Sequence, residues 1–203
     1  MASIIKGEKL LNYDLILASS SPRRAEILSQ LGVNFKVLPA EIDETPFANE
    51  SAVDYVQRMA LEKAMKVIDT ASDNCPVLGA DTSVILGSKI FGKPKNFNDA
   101  LTMLDALSGN THQVLSSVVL GNKEECKQLL SSTEVRFRTI SPQECHTYWQ
   151  TGEPKDKAGS YAIQGYGAIF VESIRGSYSG VVGLPIAETE QLLRQFNVPI
   201  WQL

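Results

Sequence analysis

Three serines, Ser19, Ser20 and Ser21, run directly into Pro22, Arg23 and Arg24. The apolar run Leu15-Ile16-Leu17 precedes them and a helical pattern follows, so the segment reads as strand, tight turn and helix start. Ser21 suits the N-cap and Pro22 the first helical position. Unpaired N–H groups at such a helix start favour an anion above the serines. Two arginines in the first turn oppose the helix dipole, and a phosphate chain would explain them. The alternative is a capped helix with two solvated arginines.

Further along, Glu41-Ile42-Asp43-Glu44 forms an acidic loop. It is either a solvated turn or a site for a hard cation, since Mg²⁺ takes oxygen ligands from one or two carboxylates plus substrate phosphates. Lys63 falls within an apolar helical stripe, where it either snorkels to the edge or meets a negative partner. Asp81 follows Val77-Leu78-Gly79-Ala80 and precedes Thr82 and another apolar run. A carboxylate in so apolar a strand is costly unless it is paired or bound to metal. Gly87 to Pro94 (GSKIFGKP) approaches the phosphate loop G-x-x-x-x-G-K-[ST], but Pro94 stands where the cation-binding hydroxyl is required. Lys93 remains a candidate phosphate lysine in a stiff turn. In Gly152 to Gly167 (GEPKDKAGSYAIQGYG), Gln164 is framed by Ile163 and Gly165. A framed amide can read a nucleobase edge. The alternative is an ordinary glycine-rich connection.

The elements that must position these groups are legible from periodicity. Ala25, Ile27, Leu28 and Leu31 make a helical stripe stopped by Gly32, and Asn34 to Leu38 alternates as a strand. Ser51 and Asp54 open the helix that carries Ala52, Val56, Met59, Ala60, Ala64 and Val67 inward. Pro76 to Leu86 is a strand, Ala100, Met103, Leu104 and Leu107 mark a helix ending at Gly109, and His112 to Leu120 is a buried strand. Glu134 to Thr139 alternates with Val135 and Phe137 inward, and Ser141 to Glu144 begins a short helix with a capping box. Ala168 to Ile174 and Tyr178 to Val182 are expected as two strands of a hairpin, with a last helix from near Pro185.

These alternations suggest an α/β fold. No linker composition appears, so two lobes of one domain with a cleft between them are expected. The net charge of −4 argues against a partner that is a nucleic-acid polymer or an anionic membrane. No apolar run approaches a membrane span and the N-terminus lacks a signal peptide. Cys75, Cys126 and Cys145 are odd in number and far apart, which suggests reduced thiols in a cytoplasm.

SSSPRR, GADT, GKP and DKAGSYAIQG, in that order, resemble the motifs of the Maf family of nucleoside triphosphate pyrophosphatases. The resemblance spans about Leu15 to Phe196. AGSYAIQG and VVGLPIAET are similar to the branch acting on dTTP and UTP rather than 7-methyl-GTP. The resemblance implies cleavage between the α and β phosphates, a divalent cation (Mg²⁺ or Mn²⁺), a homodimer, and a two-lobed mixed α/β sheet with flanking helices and a central cleft, a fold shared with inosine triphosphatases. Residues 1–14 fall before the match as an N-terminal extension, and 15–203 are expected as one domain. It places Asp81 as general base, and Arg23, Thr82 and Gln164 at positions tied to substrate choice. Ser19, Arg24, Glu44, Lys63 and Lys93 match other active-site positions, with Glu44 and Asp81 on the cation. Two other readings stand beside it: the same reaction on 7-methyl-GTP, and a nucleotide-binding regulator of cell division suggested by the family's name.

Overall fold

The computed structural model describes residues 12–71 and 74–202. Most of the expected N-terminal extension, residues 1–11, lies outside the described residues. Strand β1 (Leu15–Leu17) leads through the serine turn into α1 (Pro22–Gln30), and β2 (Phe35–Val37) returns beside it. Helix α2 (Ala52–Thr70) is followed by the long strand β3 (Val77–Leu86), the short β4 (Lys89–Phe91) and α3 (Phe97–Leu107). Strands β5 (Thr111–Gly121) and β6 (Cys126–Phe137) form an antiparallel pair, then α4 (Pro142–Gln150) leads into short 3₁₀ turns at Glu153–Asp156, Ala158–Ser160 and Tyr166–Phe170. The chain ends through β7 (Val171–Arg175), α5 (Tyr178–Val182) and α6 (Ile186–Gln195).

All seven strands join one sheet in the order β2-β1-β3-β5-β6-β7, with β4 also paired to β3. One end is parallel (β2, β1, β3) and the other antiparallel (β3, β5, β6, β7). Helix α2 lies against one face, where Ala60, Ala64 and Val67 pack on Ile16, Val77 and Val119. Leu15, Leu17, Leu78 and Val84 point to the other face and build the main core with residues of α1, α3 and α6. The period-2 alternation of β1 and β3 thus divides their side chains between two packed layers.

Strand β3 explains where the cleft lies. Its β5 edge is paired from Val77 to Ile85. On the opposite edge β1 pairs only with Val77 and Leu78, and β4 only with Val84 to Leu86. Between them, Gly79 to Ser83 has no strand alongside. The sheet therefore has a window on this edge, and Asp81 and Thr82 sit in it.

Two expectations are corrected. Tyr178 to Val182 is a helix, not the second strand of a hairpin: Ser177 caps it by accepting a hydrogen bond from the Gly180 N–H (3.0 Å), and Gly183, at φ 138°, ends it. The first strand of that pair is Val171–Arg175, because Tyr166–Phe170 coils into a 3₁₀ turn instead. The two N-caps fare differently from each other. Ser141 and Glu144 form theirs fully, whereas Ser21 occupies the N-cap of α1 without a side-chain capping bond.

Candidate active site

Each predicted site residue lies on an element that ends at, or crosses, the window in the sheet. The β1–α1 turn supplies Ser19, and the first turn of α1 supplies Arg23 and Arg24. The acidic loop supplies Glu44, α2 supplies Lys63, β3 supplies Asp81 and Thr82, the turn after β4 supplies Lys93, and the glycine-rich loop supplies Gln164. All nine line one cleft of about 430 Å³, a size ordinary for small-molecule sites.

Strand periodicity puts Gly79, Asp81 and Ser83 on the face towards α2, and helical periodicity puts Tyr55, Met59 and Lys63 on the facing stripe. Gly79 permits the approach, because a Cβ there would lie 2.4 Å from the Ala60 carbonyl oxygen. The Lys63 ammonium consequently reaches Asp81 Oδ1 at 2.8 Å and Glu44 Oε1 at 2.7 Å. Lys63 does not snorkel: it is 8% exposed, and Asp81 is 9%. Ser83 Oγ donates to Asp81 Oδ2 at 3.4 Å. Burial pushes the Glu44 carboxyl up, but the Lys63 hydrogen bond and charge, aided by Lys93 and Arg24, hold it below its usual range. Asp43, beside it in sequence, turns away and accepts from the Thr45 N–H (2.9 Å).

The serine turn is organised from within. Ser19 Oγ accepts from the Ser21 N–H (3.2 Å) and from Arg24 Nη1 (3.0 Å). Arg24 Nε donates to the Gly183 carbonyl at 2.9 Å, so the guanidinium is fixed while one edge faces the cleft. Burial lowers the Arg24 pKa, and the Asp81 charge works against that. Arg23 lines the cleft and forms no ion pair among the described residues. On the other face of β3, Thr82 Oγ1 lies 2.9 Å from Ser116 Oγ, which donates to the Gly180 carbonyl (2.6 Å). The glycine-rich loop docks on the Lys93 turn through the Gly159 N–H to the Gly92 carbonyl (3.1 Å). Gln164 is exposed to the cleft and makes no hydrogen bond among the described residues.

Some lining groups escape the sequence reading. Tyr55 donates to the Glu44 carbonyl (2.9 Å), and burial with the Asp81 and Glu44 charges pushes its pKa up to about 12. Its position eight residues before Lys63, on the same helical stripe, is the signal that could have found it. Ser83 is similarly marked by its two-residue spacing from Asp81. Gly183 and Tyr161 have no comparable local signal. Tyr161 OH pairs with His112 Nε2 at 2.9 Å beneath the cleft.

Asp81 and Glu44 present hard oxygen donors that converge on one cationic position. No cluster of three or more metal-type side chains exists among the described residues, so a divalent ion here would complete its shell with water or phosphate oxygens. Asp81 and Glu44 would offer such an ion hard oxygen donors, with the Lys63 ammonium held between them.

Comparison with known proteins agrees in extent with this architecture. The family model described as Maf-like protein matches residues 14–196. A protein of Hahella chejuensis named dTTP/UTP pyrophosphatase is 50% identical over 189 residues, 92% of this chain and 94% of its own. One of Pseudoalteromonas atlantica with the same name is 51% identical over 187 residues, covering 91% and 97%. One of Pasteurella multocida, named likewise, is 46% identical over 200 residues, covering 95% and 100%. The solved Staphylococcus aureus Ham1 protein aligns at 14% identity over 61% of this chain and 71% of its own, with a TM-score of 0.41, too loose a likeness to carry any argument. With a matching model over nearly its whole length and relatives at about half identity, the chain belongs to the Maf-like family.

Proposed function

We propose that this protein hydrolyses dTTP and UTP, and modified pyrimidine nucleotides of the same shape, to the monophosphate and pyrophosphate, a house-cleaning role in nucleotide metabolism. The observation that carries this reading is the buried Asp81 carboxylate, held by Lys63 in the sheet window opposite the arginine-bearing serine turn. The names of the relatives at about 50% identity point the same way.

In this reading the triphosphate enters with its phosphates against Arg23, Arg24 and Lys93, and with its base towards Gln164. Positioning and charge neutralisation dominate the catalysis of such a displacement. Water attacks the α-phosphorus, the bond to the bridging oxygen breaks, and pyrophosphate leaves. Asp81 orients the water and takes its proton. Lys63, shared by Asp81 and Glu44, holds both carboxylates in place. Glu44 and Asp81 would hold a Mg²⁺ or Mn²⁺ ion, which when bound would supply charge neutralisation at the phosphates and a more acidic water. A homodimer and a cytoplasmic location belong to the same proposal. The dimer is supported by the apolar Ile174 and Tyr178, exposed at and just beyond edge strand β7, and the location by the free thiols of Cys126 and Cys145.

Pyrophosphate release from a panel of nucleoside triphosphates, with and without Mg²⁺ or Mn²⁺, tests the reading. Turnover of dTTP and UTP that is lost on chelation and falls about 10²- to 10⁴-fold in Asp81→Asn is expected. Turnover confined to 7-methyl-GTP would overturn the substrate assignment. A folded protein that binds nucleotide but releases no pyrophosphate would replace the enzyme with a regulator.

A further inference from the structure

The glycine-rich loop holds Gln164 with a device that lies outside the cleft. Glu153 is half-buried behind the loop, and its carboxylate accepts three hydrogen bonds. Tyr148 OH donates to Oε1 at 2.6 Å, the Gly167 N–H to Oε1 at 3.0 Å, and the Tyr166 N–H to Oε2 at 2.9 Å. The Tyr148 oxygen in turn accepts from the Ala162 N–H at 3.1 Å. Ala162 on one side of Gln164, and Tyr166 with Gly167 on the other, are therefore tied to the same carboxylate. The Gly165 N–H to the Ala162 carbonyl (3.3 Å) closes the turn between them. Gly165 lies so close over Glu153 that a Cβ would fall 1.9 Å from Oε2, and a Cβ at Gly167 would fall 2.6 Å from the Tyr148 oxygen.

Gly165 thus leaves room for the Glu153 carboxylate, and Gly167 for the Tyr148 hydroxyl. All three partners of Glu153 donate, which a carboxylate satisfies and an amide, with one acceptor oxygen, does not. Neither Glu153 nor Tyr148 lines the cleft. Gln164, by contrast, is left with its amide unpaired and facing it. A base-reading amide on an unbraced loop would lose much of its discrimination to conformational averaging, because the hydrogen bond must be made in one geometry.

We propose that Glu153, acting through Tyr148 and the Ala162–Gly167 turn, is a positioning residue that sets Gln164 for selection of the pyrimidine base. This rests on the dTTP/UTP reading above. Steady-state kcat and KM would be measured for dTTP, UTP, CTP and GTP on the unmodified protein, Glu153→Gln, Tyr148→Phe, Gln164→Ala and the Glu153→Gln/Gln164→Ala double variant, with thermal unfolding followed throughout. Glu153→Gln is expected to raise KM for dTTP and UTP about tenfold, the worth of one well-placed hydrogen bond, with kcat within about threefold. The preference for dTTP over CTP should fall by the same factor, Tyr148→Phe should act in the same direction, and Glu153→Gln should add little further loss once Gln164 is already alanine.

An equal loss on all four substrates, an unchanged preference in folded protein, or a full Glu153→Gln effect in the Gln164→Ala background would overturn the inference. So would failure of both Glu153→Gln and Tyr148→Phe to fold, which would make the brace purely structural. Absence of dTTP and UTP turnover in the unmodified protein would sink the substrate reading itself, and the inference with it.

Discussion

Two buried ionisable side chains in this protein, Lys63 and His112, have opposite fates. Lys63 is compensated by two carboxylates, and its burial is the signature of a site. His112 is 1% exposed, and among the described residues its Nε2 pairs only with Tyr161 OH and its Nδ1 has no hydrogen-bond partner. Burial holds its pKa down at about 4, so it is neutral in the folded protein. The unfolded chain regains the ordinary value near 6.5 and binds a proton that the folded state refuses. Stability is therefore complete above about pH 6.5 and declines as the pH falls towards 4, by about 3 kcal/mol in all. The depressed carboxyls Glu44 and Glu153 titrate below about 4.5, so the decline between pH 6.5 and 5 belongs to the histidine. Urea midpoints across that interval should fall for the unmodified protein and stay level in His112→Gln. At this scale the sequence shows residue types and near neighbours: Asp81 stands out by its apolar surroundings, Lys63 by its stripe. It does not show that Lys63 reaches both Asp81 and Glu44, since the three are brought together only by α2 packing across β3.

That packing depends on one missing side chain. Gly79 lets the Ala60–Ala64 turn of α2 rest on the backbone of β3, with the Ala64 nitrogen 2.8 Å from where a Cβ would stand. Gly79→Ala should push the helix away at a cost of about 2–3 kcal/mol, because backbone rather than a flexible side chain must yield. Lys63 rides on the same helix, so turnover should drop together with the denaturation midpoint. An unchanged midpoint would mean that the contact relaxes freely. The elements most readable beforehand are those whose local chemistry and tertiary role agree: α2 with its Ser51 cap, β3, β5 and α4 with its capping box. Residues 178–182 fail this condition. Tyr178, Val181 and Val182 favour a strand by side-chain type, yet the Ser177 cap and the Gly183 stop fix a short helix. The first half of β6 is not legible either, because Lys127 and Gln128 break the alternation there.

For the molecule as a whole, the cleft gathers groups from both ends of the sheet. Arg24 follows the parallel strand β1, whereas Gln164 and Gly183 belong to the chain that follows the antiparallel pair β5 and β6. A bound nucleotide would bridge them and bind only the folded state. A non-hydrolysable UTP analogue at about a hundred times its Kd should add about 2.7 kcal/mol, which raises Tm by about 5–10 °C in a chain of this size. Differential scanning fluorimetry checks this, and no shift at saturating analogue would exclude the cleft as the nucleotide site. At this scale the α/β class and the cleft were legible from alternating elements and absent linkers. The window in β3 was not, because it arises from the shortness of β1 and β4, and strand length on a shared edge is set by partners distant in the chain.

The hydrogen bond from Arg24 to the Gly183 carbonyl spans 159 residues and has a consequence for biosynthesis. At about 5–20 residues per second, some 10 to 30 s separate translation of the guanidinium from translation of its acceptor. Throughout that interval the nascent chain carries its arginine turn, its lysine and its aspartate without the group that orients Arg24. A chain truncated before Gly183 therefore lacks the carbonyl that, with Ser19, orients Arg24.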